Sequence, residues 1–110
     1  MTELSRYIAL KEYIPLGKPN ISQFELKENT ISLDNDDDVM VLNQWISVDP
    51  YMRARMTERK NYKPPFEIGK PMEGSCIGQV IDSKSKEFQK GDIVSSEKGW
   101  RDKFVTNYTN

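Results

Sequence analysis

Proline and glycine divide this 110-residue chain into short segments, and this regular interruption restricts the fold more than any other feature of the sequence. The chain contains six glycines and six prolines. Turn signals recur roughly every 8–12 residues, and no long stretch shows the spacing of an amphipathic helix. The sequence therefore predicts a mainly β domain, a barrel or a sandwich, with short helices.

The segments between these breaks are predicted to be strands. Their bounds are 7–13, 39–48, 74–83, 92–96 and 103–108. Residues 21–26 fit either a short strand or one helical turn, because so few residues do not decide a periodicity. In the segment 39–48, alternation predicts one shared apolar face, made of Met40, Leu42, Ile46 and Val48.

Two features distinguish the segment 74–83. Both of its faces carry apolar residues, which predicts a strand in the middle of a sheet. Gly74 and Gly78 lie inside it, and they indicate a bulge or the close approach of another backbone.

A turn or short helix is predicted at 51–56. Asp49 is a natural N-cap, and Pro50 suits a first helical turn. Residues 35–38 form an acidic loop that is predicted to be a solvated turn, since the spaced ligands and glycine of a calcium loop are missing. The neighbourhood of the predicted helix is basic, with Arg53, Arg55, Arg59, Lys60 and Lys63.

The absence of histidine excludes several kinds of chemistry. Neither a Ser-His-Asp triad nor a Cys-His pair can be assembled from this chain. One cysteine, Cys76, without histidine leaves no plausible zinc cage, so no metal site is expected. General acid–base catalysis would have to use Tyr, Lys, Asp, Glu or a cofactor.

Charge and hydropathy narrow the choice of partners and compartment. The net charge is −1 with interspersed signs, which argues against nucleic-acid binding. No run of about 18 apolar residues could span a membrane, and the first residues lack a signal-peptide pattern. A single cysteine fits a reducing compartment, so a cytoplasmic location is expected.

Several short motifs carry a family resemblance when they are read in order. Residues 47–56 read SVDPYMRARM, followed by FEIG at 66–69, MEG at 72–74 and GQVIDS at 78–83. FQKGDIV at 88–94 and the Gly99-Trp100 pair complete the series. This string resembles the N-terminal catalytic domain of the zinc-independent medium-chain dehydrogenase/reductases, in the branch of prostaglandin reductases, alkenal double-bond reductases and curcumin reductases. The resemblance covers roughly residues 4–108.

The resemblance implies a fold, an activity and a cofactor. It implies a GroES-like, partly open β-barrel that occupies residues 1–110. It also implies NADPH-dependent hydride transfer to the C=C bond of an α,β-unsaturated ketone or aldehyde. No Gly-rich strand–turn–helix for a pyrophosphate occurs in the sequence. The chain is thus expected to be a fragment, inactive alone, whose Rossmann domain and C-terminal return segment are absent and whose complete form is a possible homodimer.

The same resemblance assigns site residues. Tyr51 matches a tyrosine of the substrate pocket, and its hydroxyl is a candidate catalytic donor to the developing enolate. Ser75 lies where plant members place a second pocket tyrosine, which predicts a wider or more polar pocket. Met52 is a candidate cofactor contact, and a place in the core is the alternative. Asp49 and Pro50 are expected to shape the turn that presents Tyr51.

Other residues are expected to be structural. Trp100 is predicted to pack in the barrel, and Cys76 is predicted to be a small buried apolar residue. Arg53 and Arg55 are predicted to be solvated or ion-paired, with contact to a cofactor or a partner domain as the alternative. Two other functions stay open: a standalone β-barrel binding module without catalysis, and a quinone-type oxidoreductase of the same superfamily.

Overall fold

The computed structural model describes residues 2–58 and 63–108 and contains two antiparallel sheets. A two-stranded sheet pairs β1 with β2, and a four-stranded sheet has the order β5-β4-β3-β6. A short α-helix, α1, lies between β3 and β4. The bounds are β1 Thr2–Leu10, β2 Phe24–Ser32, β3 Asp38–Ile46, α1 Tyr51–Ala54, β4 Cys76–Ser83, β5 Ile93–Ser96 and β6 Lys103–Asn107. The mainly β prediction is confirmed.

The first sheet differs most from the prediction. Strand β1 begins five positions before the predicted start at Tyr7 and ends at Leu10. The segment 21–26 combines both predicted alternatives, because a 3-10 turn, Ile21–Gln23, leads directly into β2. An Asn20–Gln23 capping box fixes that turn. Pairing then runs without interruption from Leu10 opposite Phe24 to Thr2 opposite Ser32.

The second sheet has the predicted central strand. Strand β4 pairs with β3 on one side and with β5 on the other. Two register shifts interrupt the β3–β4 ladder, between Met40 and Val41 and between Asn43 and Trp45. A Cβ at Gly78 would lie 2.5 Å from Val41 Cγ1 and 2.7 Å from the Leu42 carbonyl oxygen. The close backbone approach predicted at Gly78 is therefore confirmed.

The predicted apolar face of β3 is wrong in part. Val39 and Val41 are fully buried, whereas Ile46 is exposed, and so is Val48 beyond the end of the strand. Strict alternation fails because the strand is covered on both sides at its beginning, where Met40 is also buried, and because the register shifts reorient its later residues. One core cluster contains Val39, Val41, Cys76, Val80 and Phe104.

A second core cluster joins the hairpin to α1 and the loop after it. It contains Leu10, Ile14, Met52, Met56, Phe66 and Met72. Isolated bridges join β1 to segments that flank the second sheet, Tyr7 to Arg101 before β6 and Ala9 to Pro71 before β4. Within the described residues the two sheets do not close into a continuous barrel. The Ser5 hydroxyl reinforces the contact by donating to the Lys103 carbonyl oxygen at 2.6 Å. The partly open barrel is confirmed.

Two local predictions need correction. Asp49 is not the N-cap of α1: Pro50 precedes the helix without a side-chain cap bond, and the Asp49 carboxylate accepts from the Ser47 hydroxyl. The acidic segment 35–38 is only partly solvated, because Asp38 is buried and its carboxylate accepts the Asn35 N–H at 2.9 Å. Serine and asparagine two or three positions away satisfy both carboxylates locally. The predicted basic residues Arg59 and Lys60 lie outside the described residues.

The described residues contain neither a membrane-spanning helix nor a metal-binding cluster. No helix within 2–58 and 63–108 is long and apolar enough to cross a membrane. In the same ranges, no three His, Cys, Asp or Glu side chains lie together in a way that could hold a metal ion.

Candidate functional site

The single-turn helix α1 separates Tyr51 from Met52. Successive helical residues point about 100° apart, so a residue and its neighbour face different surroundings. Met52 turns into the core and is 2% exposed, whereas Tyr51 is 37% exposed. The Met52 N–H donates to the Asp49 carbonyl oxygen at 3.1 Å, which fixes the start of the turn. Burial of Met52 therefore directs the Tyr51 phenol outward.

Met52 forms the floor beneath the site. Its side chain packs in the cluster with Leu10 and Phe66. It also fills the space above Gly74, where a Cβ would lie 2.5 Å from Met52 Cε. The structure thus places Met52 in the core, which was the alternative to a cofactor contact, and the cofactor contact stays a prediction.

Lys63 lies against the exposed phenol ring. Its ammonium nitrogen is 5.1 Å from the centroid of the Tyr51 ring, within the range of a cation–π contact. The same nitrogen is 3.7 Å from Glu97 Oε1. The Lys63 and Glu97 side chains are 41% and 59% exposed, so solvent screens this ion pair. Lys63 therefore lies between an aromatic face and a carboxylate without being buried.

Ser75, the residue before β4, belongs to the same group. Its hydroxyl donates to the second carboxylate oxygen of Glu97 at 2.7 Å. Its carbonyl oxygen accepts the Ser47 N–H at 2.9 Å, and the Ser47 hydroxyl in turn donates to Asp49 at 2.8 Å. The loop that presents Tyr51 is thereby tied to the segment that leads into β4. This agrees with the structural role predicted for Asp49.

The structure thus connects two predicted site residues through two that the sequence did not suggest. Tyr51, Lys63, Glu97 and Ser75 form a continuous series of contacts, called here the Tyr51–Ser75 network. Lys63 was noted only as part of a basic neighbourhood, and Glu97 was not singled out. No local pattern could have identified them, because their contacts with Tyr51 and Ser75 depend on the tertiary fold.

Two openings adjoin the Tyr51–Ser75 network. Ser75 and Glu97 line a cavity of about 510 Å³ whose other walls come from the exposed ends of β3, β4 and β5. Its remaining lining residues are Trp45, Ile46, Ser47, Cys76, Ile77, Ser95 and Ser96. Lys63 and Glu97 also line a larger cleft, of about 690 Å³, on the side of the 63–73 loop. Both volumes are in the range of small-molecule sites.

The two arginines of the 51–56 segment have structural partners. Arg55 is buried: its guanidinium donates to the Pro64 carbonyl oxygen at 2.7 Å and to Glu73 at 2.9 Å. It also lies 4.3 Å from the centroid of the Phe66 ring. Arg53 donates to the Gly17 carbonyl oxygen at 3.0 Å. Of the predicted alternatives, ion pairing therefore applies to Arg55.

Trp100 and Cys76 are structural, as predicted. Trp100 packs against the cluster that contains Met52, and its backbone has a left-handed φ of +60°. Its carbonyl oxygen accepts the Ile8 N–H at 2.8 Å, which helps to hold this unusual conformation. Cys76 is buried, and its thiol contacts Ser96.

Arg101 has the most altered electrostatics near the network. Desolvation by burial lowers the pKa of its guanidinium, and attraction to Cys76 and Glu73 opposes that shift. A cation that is partly removed from water is favoured by a nearby negative charge. Arg101 lines the 690 Å³ cleft.

The fold and these motifs define an oxidoreductase domain of the medium-chain, GroES-like type. The chain belongs to the family described as the N-terminal domain of oxidoreductase, whose model matches residues 6–110.

Two curated relatives show how far the similarity extends. An NADPH-dependent curcumin reductase from Escherichia coli is 35% identical over 88 residues, which cover 80% of this chain and 26% of the relative. A 2-alkenal reductase (NADP(+)-dependent) from Nicotiana tabacum is 37% identical over 102 residues, covering 89% and 29%. The chain therefore spans less than a third of the length of these relatives.

Solved structures show the same similarity as the sequence relatives. CurA from Vibrio vulnificus superposes with a TM-score of 0.88 at 31% identity, covering 96% of this chain and 31% of that one. The complex of CurA from the same organism with NADPH gives a TM-score of 0.85 at 32% identity, covering 94% and 31%. The similarity to CurA thus extends over nearly the whole chain.

Proposed function

We propose that this chain is the N-terminal substrate domain of an NADPH-dependent oxidoreductase that reduces the C=C bond of α,β-unsaturated ketones and aldehydes. One observation carries the proposal: 80–89% of the chain is similar to relatives named as NADPH-dependent curcumin reductase and 2-alkenal reductase. The Tyr51–Ser75 network supports it, because Ser75 and Glu97 line a cavity of small-molecule size and Lys63 links Glu97 to the Tyr51 phenol.

The cofactor would be held mainly outside these 110 residues. A pyrophosphate cradle needs a strand, a Gly-rich turn and a following helix. Among the described residues the α-helix has four residues and follows Pro50, so this cradle does not fit here. We therefore assign residues 1–110 to one domain, which works with a Rossmann domain and a return segment of the same polypeptide. NADPH bound there would supply the hydride that adds to the β-carbon.

The chain would contribute stabilisation of the developing enolate. When the β-carbon of an enone accepts a hydride, negative charge moves to the carbonyl oxygen. A hydrogen-bond donor aimed at that oxygen is worth more in the transition state than in the ground state. The Tyr51 hydroxyl makes no hydrogen bond to another described residue, so it is free to donate to the substrate.

The other network residues would position the substrate. Lys63 lies over the Tyr51 ring, and a conjugated chain would stack on the opposite face. The resemblance places Ser75 where plant members of the family have a tyrosine, so the pocket would be wider or more polar. The Ser75–Glu97 hydrogen bond of 2.7 Å keeps that wall hydrophilic. Substrates of the plant enzymes therefore do not carry over directly.

The proposal has three further parts: the reaction uses no zinc, the protein is cytoplasmic, and the complete protein is a homodimer. The absence of histidine and the single cysteine, Cys76, which is buried and unpaired, support the zinc-free chemistry and the reducing compartment. The molecular mass of the complete protein by light scattering tests the homodimer. Measuring the length of the native polypeptide tests the domain assignment: about three- to fourfold the present 110 residues is expected from the share of the relatives that is covered.

The activity is tested on the complete native polypeptide by following NADPH oxidation. Methyl vinyl ketone, crotonaldehyde and benzoquinone serve as acceptors, each with a background measured without protein. We expect turnover with the first two, and product analysis should show a saturated carbonyl compound. Turnover of benzoquinone alone would replace the proposal with a quinone-type oxidoreductase. A native polypeptide of 110 residues without turnover would leave a binding module.

A further inference from the structure

The 690 Å³ cleft contains an unusual distribution of charge. It lies between the loop that begins at Lys63 and the turn that leads into β6. Five basic and three acidic side chains line it. The basic residues are Arg55, Lys63, Lys70, Lys98 and Arg101, and the acidic residues are Glu67, Glu73 and Glu97. The cleft therefore has an excess of two positive charges.

Each of the three carboxylates already has a partner. Glu73 binds Arg55 at 2.9 Å, Glu97 binds Lys63 at 3.7 Å, and Glu67 binds Lys70 at 3.8 Å. Lys98 and Arg101 are the remaining cations, and neither forms an ion pair with any residue within 2–58 and 63–108. Glu73 attracts Arg101 without pairing with it. The excess charge is thus located on Lys98 and Arg101.

One side chain fixes the backbone at both cations. The Asn43 amide nitrogen donates to the Lys98 carbonyl oxygen at 3.0 Å and to the Arg101 carbonyl oxygen at 2.9 Å. Gly99 lies between them, and its N–H donates to the Gly74 carbonyl oxygen at 2.9 Å. The turn is held by strand β3 and by the segment just before β4, and it does not need to be ordered by a ligand. Such preorganisation lowers the entropic cost of binding.

The cleft strengthens the attraction of Arg101 for an anion. Pro64, Pro65, Phe66 and Pro71 line it, and these residues are apolar and rigid. Partial burial limits the water around Arg101, so its positive charge attracts an anion more strongly than a fully solvated charge would. Burial disfavours the charged form of Arg101, and a bound anion would relieve that penalty.

We propose that Lys98 and Arg101 bind the oxyanion group, carboxylate or phosphate, of a small molecule in this cleft. Arg101 supplies a planar set of donors that matches either group, and Lys98 supplies a point charge. The proposal does not depend on reductase activity. Lys63 and Glu97 line the cleft and also belong to the Tyr51–Ser75 network, so the bound molecule would lie beside the proposed substrate site.

The test uses the complete native polypeptide, with inorganic phosphate and acetate as separate probes. Backbone amide NMR shifts of Lys98 and Arg101 are followed while chloride keeps the ionic strength constant. We expect saturable shifts with a Kd on the order of a millimolar. Tighter binding of phosphate would assign the ligand to phosphate compounds, and tighter binding of acetate would assign it to carboxylates. Shifts that increase linearly with both probes would overturn the proposal.

Substitutions of Lys98 and Arg101 test whether these two side chains bind the probes. Lys98→Met and Arg101→Gln should each raise the Kd about tenfold, the usual scale for losing one charge-assisted contact. Lys86→Met is the matched control, because Lys86 is an exposed lysine outside the cleft, and its Kd should equal that of the original chain. Should Arg101→Gln fail to fold, Lys98→Met decides the question. An equal Kd for Lys98→Met and Lys86→Met contradicts the assignment.

Discussion

Two glycines face nearly the same steric problem, and their different surroundings lead to a sharp prediction. A Cβ at Gly78 would lie 2.5 Å from Val41 Cγ1, and a Cβ at Gly74 would lie 2.5 Å from Met52 Cε. Real Cβ atoms do not tolerate such distances, so each alanine variant must displace its neighbour. The destabilisation then depends on whether the neighbour can move.

At Gly78 the neighbours are rigid. Val41 has a β-branched side chain in the core, and the Leu42 carbonyl oxygen at 2.7 Å and Asn43 Cα at 3.1 Å belong to the adjacent strand. Overpacking of this kind costs about 1–3 kcal/mol. We take the upper end because backbone must shift, and subtract roughly 0.5–1 kcal/mol for the reduced freedom of the unfolded chain. Gly78→Ala should therefore lower the free energy of unfolding by about 2 kcal/mol.

At Gly74 the nearest atom is the end of a flexible thioether. Met52 can change a terminal rotamer, and the Trp100 indole atoms at 3.5 and 3.6 Å remain in ordinary contact. The strain should be about 1 kcal/mol or less, and the effect on the unfolded chain offsets most of it. Gly74→Ala should therefore change stability by less than about 1 kcal/mol.

Urea denaturation followed by tryptophan fluorescence compares the two variants, since Trp45 and Trp100 report on different parts of the fold. For a domain of this size, about 2 kcal/mol corresponds to a fall in Tm of roughly 8–16 °C. A loss of stability in Gly74→Ala that equals or exceeds the loss in Gly78→Ala would refute the reasoning from neighbour mobility.

Three further predictions concern single groups. In the complete polypeptide, Tyr51→Phe should lower kcat/KM for enones about 10- to 100-fold while the Kd for NADPH stays unchanged; an unchanged kcat/KM would exclude a hydrogen bond from the hydroxyl. Burial, with a smaller contribution from Cys76, raises the pKa of Tyr108 above 10.0, so stability should decline as pH rises through that raised pKa. Tyr108→Phe should weaken this alkaline decline in urea titrations, and an identical decline would contradict the prediction. At neutral pH the same variant should leave the free energy of unfolding unchanged, because the buried hydroxyl has no hydrogen-bond partner in the described structure. Glu97→Gln breaks a solvent-screened ion pair with Lys63 and should lower the free energy of unfolding by less than about 1 kcal/mol, and a larger loss in the same assay would show that the pair is a structural element.

The parts of the fold that could be predicted are those where burial imposes a pattern. Strand β4 has apolar residues on both faces and is central, and β5 and β6 begin close to the predicted positions. Strand β2 was largely missed, because its polar residues 27–30 are exposed and carry no alternation. Its stability comes from pairing with β1, which is a tertiary contact and leaves no mark in the local sequence.

The candidate site also contains residues that the sequence predicts and residues that only the fold reveals. Tyr51 and Ser75 were selected by resemblance to a family, through motifs that local sequence preserves. Lys63 and Glu97 were not selected, because Lys63 is 12 positions from Tyr51 and Glu97 is 22 positions from Ser75. The sheet and the loops bring them together. Chemistry carried by a motif is thus predictable from sequence, whereas the groups that position it depend on the fold.

One side chain, Met52, belongs to the core of this domain and also supports the candidate site. Met52 packs beneath the helix that presents Tyr51, and it closes the space above Gly74, the residue before Ser75. A change that displaces the Met52 thioether therefore alters the support of Tyr51 and Ser75 together, even where stability hardly changes. Because a displacement of about 1 Å at a binding group can lower a reaction rate about 100-fold, Gly74→Ala should affect proposed catalysis far more than folding. A residue with no functional group would then control the geometry of the site.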